Sequence, residues 1–364
     1  MSLPSLKIGK HEIKVPILQG GMGVGISWDQ LCGNVSKEGG LGIISAVGTG
    51  YYENKKFADK LSFGRPFGAE NFYSKDALFE IVKNARKICG NAPLGMNVLY
   101  AINDYGRVVR DSCEAGIDII VTGAGLPTNM PEFTADFPDV ALVPIVSSAK
   151  ALKILNKRWE GRYNRIPDAV IVEGPLSGGH QGVQFEDCYK EEYQLENLVP
   201  EVVEEAAKWG NIPVIAAGGI WDNADIKKFM AMGAAGVQMG TRFIATHECD
   251  APQIFKEILI NAKEEDIVLM KSPVGYPARG VRTKLLEMVE AKTAPDVKCI
   301  SNCVVPCHQG VEAKAVGYCI ADRLADAAMG DANLGLYFSG SNGYKIDKIV
   351  SVKELMKELA GDDA

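Results

Sequence analysis

The feature that most constrains the fold is a short apolar run that recurs eight times between amphipathic stretches. The runs cover residues 15–18, 41–45, 94–98, 117–122, 141–146, 169–172, 212–217 and 236–239. Each is rich in Val and Ile, nearly unbroken in hydrophobicity, and followed by small or polar residues, which is the pattern of parallel strands buried on both faces. Parallel strands need crossover connections, and segments 29–39, 74–90, 106–115, 130–136, 148–156, 199–209 and 222–232 supply them. Most carry apolar residues three and four apart, and several stop at a glycine (Gly39, Gly116, Gly210, Gly233). Strict βα alternation with eight strands predicts an α/β fold of the (β/α)8 TIM-barrel kind, a doubly wound open sheet being the alternative.

After Phe243 the alternation fades. Residues 251–264 and 282–293 look helical, 271–280 with its two prolines looks like a loop, and a cysteine-bearing stretch follows at 296–310. The expected organisation is a barrel over 1–264, a smaller helical cap over 265–330 at the carboxyl ends of the strands, and a segment 331–364 returning to the barrel wall. Two long excursions, 47–76 and 174–198, also leave strands on the exit side, the face on which barrel enzymes place their chemistry.

Of the 364 residues 47% are hydrophobic and 23% charged, ordinary globular values, and no stretch approaches the roughly 18–20 apolar residues of a membrane span. The amino-terminal residues lack the basic, then apolar, then small-residue order of a secretory signal, so a cytoplasmic location is expected. A net charge of −7 argues against a broad nucleic-acid surface. A small molecule is therefore the expected partner, with neither nucleic acid nor membrane, and a homodimer is left open. Nine cysteines in such a chain read as free thiols.

Four places carry residues suited to chemistry. Gln19-Gly20-Gly21-Met22-Gly23 follows the first strand, where bare backbone approaches a flat ligand or an anion closely. Ala217-Gly218-Gly219-Ile220 follows strand seven and Gln238-Met239-Gly240-Thr241-Arg242 strand eight, the two exits from which barrels commonly build a phosphate site. Glu173-Gly174-Pro175-Leu176-Ser177-Gly178-Gly179-His180 follows strand six; a histidine among glycines suits proton transfer near neutral pH rather than core filling. Asn97 and Thr122 each end an apolar run with a polar group able to meet a ring edge, although either could instead serve a local turn. The bland reading of the glycine motifs is a set of tight turns, and His11, His247 and His308 read as ordinary surface histidines.

A further cluster is Cys299-x3-Cys303-x3-Cys307-x11-Cys319. It could hold zinc or an iron–sulfur cluster, but its spacing matches neither the usual zinc pairs nor the common ferredoxin run. Buried, unliganded thiols on one helix face are the favoured expectation, with an electron-transfer or metal-sensing module as the alternative.

Taken in order, the motifs at Gln19 to Met22, Gly178 to His180, Ala217 to Ile220 and Gln238 to Arg242 resemble the nitronate monooxygenase family, formerly 2-nitropropane dioxygenase. That family is similar in fold to the flavin-dependent enoyl-acyl-carrier-protein reductases. The resemblance covers roughly 10–290. It implies an FMN-dependent oxidoreductase with the flavin ring against Gly20, Gly21, Met22 and Asn97 and the phosphate on Gly218, Gly219, Gly240 and Thr241. Thr122, Glu173, Gly178, Gly179, Ala217, Gln238 and Met239 complete the expected cofactor site, and His180 corresponds to the family's active-site histidine. The implied reaction is oxidation of alkyl nitronates with O2; NAD(P)H-dependent reduction of an enoyl thioester is the alternative on the same scaffold.

Overall fold

Inward-facing Leu, Ile, Val and Ala residues at alternate strand positions fill the centre of the molecule, and the architecture follows from them. In this computed structural model the described residues are 3–52, 72–297, 299, 303–308 and 310–361. Thirteen strands run in chain order among these: β1 (Leu6–Ile8), β2 (His11–Ile13), β3 (Ile17–Gln19), β4 (Leu41–Ser45), β5 (Leu94–Asn97), β6 (Ile119–Thr122), β7 (Ala141–Val146), β8 (Val170–Glu173), β9 (Gly179–His180), β10 (Val214–Ala217), β11 (Gly236–Met239), β12 (Ile267–Met270) and β13 (Ala278–Val281). Strands β3 to β8, β10 and β11 close into a barrel, every neighbouring pair parallel. Each of the eight runs read from the sequence supplies one of these strands.

Leu18, Leu41, Ile43, Ile119, Val121, Ile171 and Ile215 point inward and pack as one cluster. Full burial of each such side chain contributes about 1.5–3 kcal/mol. The antiparallel hairpin β1–β2, which periodicity did not reveal, adds Leu6, Ile8 and Ile13 to that cluster. The alternate strand residues face the helices: Met96, Ile120 and Leu142 join Leu155 and Trp159, while Val172, Ala216 and Val237 join Val199, Ile226 and Phe243.

The helices start and stop where the sequence dictates. Ser74 caps Lys75–Cys89 by accepting from the Ala77 N–H at 3.2 Å, and Ser148 caps Ala149–Tyr163 in the same way. Trp159 of the second helix is fully buried and its indole donates to the Pro127 carbonyl at 3.0 Å. Trp159→Ala is expected to lower stability by about 3–5 kcal/mol, measured as a fall in the urea midpoint at unchanged slope.

Two expectations change past the barrel. Residues 267–270 and 278–281, the second within a segment read as loop, form strands that pair antiparallel, and β13 also pairs with β9. The cap is thus a small sheet with helices Lys284–Glu290, Val311–Val316 and Ile320–Ala328. Short runs broken by Pro and Gly had hidden the strands. Helix Val352–Ala360, capped by Ser351 and Glu354, then returns to the wall and packs against Asp29–Lys37 and Asn223–Ala231. Of the excursion at 47–76, residues 53–71 lie outside the described residues.

Candidate active site at the barrel mouth

Strand alternation decides which of the predicted residues reach the mouth. Residues two apart share a face. Ile171 and Ile215 are inward, so Glu173 and Ala217, paired in register at the ends of β8 and β10, are inward too. Gln238 pairs with Ala217 and lies against the inward side of Gly20, where a side-chain carbon would stand 3.1 Å from it. Asn97, buried at the end of β5, packs beneath Gly21. Met22 lies over Gly240, its sulfur 3.3 Å from where a side chain there would begin. Asn97, Glu173 and Gln238 therefore form a polar rim around a glycine-lined mouth.

Two predicted residues point elsewhere. The Thr122 side chain is fully buried in the helix layer and shares a hydrogen bond with the Tyr105 hydroxyl at 3.2 Å. Met239 likewise packs in the outer core, and only its backbone serves the mouth, accepting from Gly20 N–H at 2.9 Å. Both lie one residue out of phase with the inward set, a distinction the ends of continuous apolar runs conceal.

The turns after β10 and β11 meet on one side of this rim. Gly218 has φ +104°, and a side-chain carbon on it would stand 2.7 Å from the Gly174 carbonyl, so only glycine fits. Sequence reasoning missed the third wall here, Ser339-Gly340-Ser341-Asn342-Gly343. Gly340 N–H donates to the Thr241 hydroxyl at 2.9 Å and Asn342 donates to the Gly219 carbonyl at 2.6 Å, while Ser341 N–H reaches the Leu176 carbonyl at 3.0 Å. The signal that could have found it is a run of five turn-forming residues inside an otherwise apolar segment.

His180 is held more tightly than its glycine neighbours imply. It sits on β9 opposite Ala278, with the Phe338 ring edge-on at 5.5 Å and its Nε2 2.7 Å from the Ser272 hydroxyl. Burial lowers its pKa to about 4, so the ring is neutral at pH 7, correcting the expectation of an open imidazole titrating near neutrality. Tyr318 donates its hydroxyl hydrogen to the Lys271 carbonyl at 2.7 Å and lies beside the Ser272 hydroxyl. His180 Nε2 and the Ser272 hydroxyl share one hydrogen bond, and Nδ1 lies outside it.

Glu173 behaves oppositely. Protein packs around its carboxyl although the residue faces the mouth, and this burial raises its pKa to about 7. The two groups have opposite linkage. Glu173 keeps a proton that the unfolded chain loses near its ordinary 4.5, so its contribution to stability is whole below that and fades as pH rises through about 7. The His180 contribution is whole above its ordinary 6.5 and fades as pH falls through about 4. The predicted Cys299, Cys303, Cys307 and Cys319 lie outside this rim. A groove of about 460 Å³ that includes Asn103, Arg107, Arg110 and Phe133 lies on the outside of the barrel and shares no residue with the rim.

The fold is a (β/α)8 barrel with these residues gathered at its strand exits. The model of the nitronate monooxygenase family matches residues 4–362, and the chain belongs to that family. It is accordingly an oxidoreductase of the nitronate monooxygenase kind, in a family whose members are generally flavin enzymes. A probable nitronate monooxygenase of Staphylococcus saprophyticus is 28% identical over 300 residues, covering 79% of this chain and 81% of that protein. Among solved structures, FabK from Thermotoga maritima superposes with a TM-score of 0.70 at 26% identity, covering 94% of this chain and 91% of that one. The nitroalkane oxidase from Streptomyces ansochromogenes shares the fold, with a TM-score of 0.67 at 22% identity over 95% of each chain. Among the described residues no helix is long and apolar enough to cross a membrane.

Proposed function

We propose that the barrel mouth binds FMN and that the enzyme oxidises small alkyl nitronates, with O2 as acceptor. The observation that carries this reading is the meeting of the Gly218–Gly219 and Gly240–Thr241 turns through the 339–343 wall, with neutral His180 on the segment that follows β8. These residues suit the cofactor. Among the described residues the buried Gln238 Oε1 atom has no partner, as a group awaiting a ligand donor would be. Gly218, Gly219 and Gly240 remain partly exposed, so their peptide groups can receive a phosphate. Gly20, Gly21, Met22 and Asn97 would face the ring, with Glu173, Gly178, Gly179, Ala217 and Gln238 around it. Bound FMN would supply the electron transfer between substrate and oxygen.

The chain's own residues do the rest. A nitronate is an anion, and an anion beside His180 favours its charged form against the burial that disfavours it. The cationic ring carries a hydrogen on each nitrogen, so Nε2–H donates to Ser272 and Nδ1–H is left to donate to the substrate oxygen. Binding should therefore take up close to one proton at pH 7, measured by calorimetry in buffers of different ionisation heat; no net uptake would show that His180 stays neutral. Ser272→Ala removes the hydroxyl that holds His180 Nε2 and is expected to lower kcat about tenfold, with a smaller effect on KM and flavin retained. Anaerobic mixing with a propyl nitronate tests the function directly: the flavin spectrum should bleach and recover in air.

The likeness to FabK favours one second reading, an NAD(P)H-dependent enoyl-thioester reductase. Rapid bleaching by NADH or NADPH, followed by turnover of a crotonyl thioester and no response to nitronate, would replace the first reading with this one.

A further inference from the structure

The cysteines outside the mouth are not arranged as helix-face packing. Residues 303–308 form a bridge and turns, not helix, and all four thiols of the cluster are only partly buried. Backbone contacts hold their segments in place. Val304 bridges Ile102, the Val305 N–H donates to the Ala101 carbonyl at 2.8 Å, and the Cys307 N–H folds back on the Val304 carbonyl at 3.3 Å. These bonds pin the segment to the loop that follows β5 and its Asn97. Gly310, at φ +89°, lets the backbone pass Cys299 so closely that a side-chain carbon there would stand 2.7 Å from the Cys299 Cβ. Cys319 stands at the start of helix Ile320–Ala328, where the Asp322 and Ala321 N–H groups are directed at its sulfur.

The four sulfurs feel one another. Burial pushes the Cys303 thiol up to about 12, and Cys319, Cys299 and Cys307 each add to that rise. Cys319 is in turn raised by burial first and by Cys299 among its neighbours. Cys303 neighbours each of the other three thiols, and peptide N–H groups are aimed at Cys319; none of this has a use in the chemistry at the mouth. Among the described residues no three His, Cys, Asp or Glu side chains converge as a single metal ion requires; zinc needs every sulfur about 2.3 Å from one point. A larger body with iron at separate corners requires a wider spread.

We propose that Cys299, Cys303, Cys307 and Cys319 bind a [4Fe–4S] cluster at the edge of the cap, beside the loop that follows β5. Each thiol gives one thiolate ligand to one iron. Loading from a preassembled cluster is ligand exchange without change of oxidation state: each departing small thiolate leaves as a thiol, carrying the proton that the cysteine releases. The Ala321 and Asp322 N–H groups stabilise the Cys319 thiolate. The site is independent of the substrate at the mouth, since Tyr318, not Cys319, points toward Ser272.

The test uses the full chain purified without air, and the same chain after incubation with a [4Fe–4S] cluster preassembled on 2-mercaptoethanol. About four irons and about four acid-labile sulfides per chain are expected, with an axial or rhombic electron-spin signal after dithionite reduction. The double variant Cys303→Ala/Cys307→Ala should lose the iron and sulfide while keeping flavin and a native circular dichroism spectrum. Should the double variant fail to fold, Cys307→Ser serves instead, and the metal content of the unaltered chain decides in either case. Less than one iron per chain after incubation, iron without labile sulfide, one zinc in its place, or iron unchanged in a folded variant would each overturn the assignment.

Discussion

Replacing His180 with alanine is expected to leave FMN bound and to lower kcat/KM for a nitronate by roughly 10²- to 10⁴-fold, the range for loss of a positioned acid or base. The magnitude follows from placement. His180 is fixed by Ser272 on one nitrogen and Phe338 on its face, so no other group can take over its Nδ1 position. Two controls separate chemistry from collapse: the flavin spectrum should be unchanged, and the group of pKa about 7 assigned to Glu173 should persist in the pH profile of the His180→Ala enzyme and vanish in Glu173→Gln. Turnover within threefold of the unaltered enzyme would remove His180 from the reaction.

The second large effect is expected at Gly240. Its backbone is in a helical region rather than at positive φ, and a side-chain carbon there would meet the flexible Met22 side chain, whose sulfur is 3.3 Å away. Gly240→Val should therefore fold while filling the space intended for a phosphate. Losing two hydrogen bonds to a charged group at about 1.5–3 kcal/mol each weakens FMN by at least about 10²-fold. Fluorescence titration of the flavin-free chain measures this directly. Retention of tight FMN binding together with an unaltered melting temperature would place the phosphate elsewhere. Gly218→Val is a poorer probe, because the Gly174 carbonyl in its way makes misfolding and lost binding indistinguishable.

The barrel was readable because its strands are buried on both faces, and continuous apolar runs such as Ala141–Val146 or Val214–Ala217 leave few other interpretations. The same continuity hid phase. Nothing in Ile119-Ile120-Val121-Thr122 says that Thr122 faces Tyr105 and not the mouth, since both neighbours are apolar. His180 stands out through its glycines, but its neutrality does not, because the groups that bury it come from far along the chain: Ser272 is 92 residues away, and Phe338 further still. Likewise the 339–343 wall has no strand or helix period to announce it. What local pattern specifies is the scaffold; what distant packing specifies is the protonation state and the reach of each side chain on it.

The helix Val352–Ala360 occupies the wall position between Asn223–Ala231 and Asp29–Lys37, tied there by Asn223 to the Leu359 carbonyl at 2.8 Å and by the Arg242–Glu358 ion pair at 2.9 Å. Everything from β12 to the 339–343 wall is thereby threaded through the eighth βα unit and stapled at both ends. The cap is not an appendage that evolution or an engineer can trade without cost: shortening it or shifting its register pulls on the staves of the cask itself, so its inner surface stays aligned with the mouth for as long as the barrel holds its hoop.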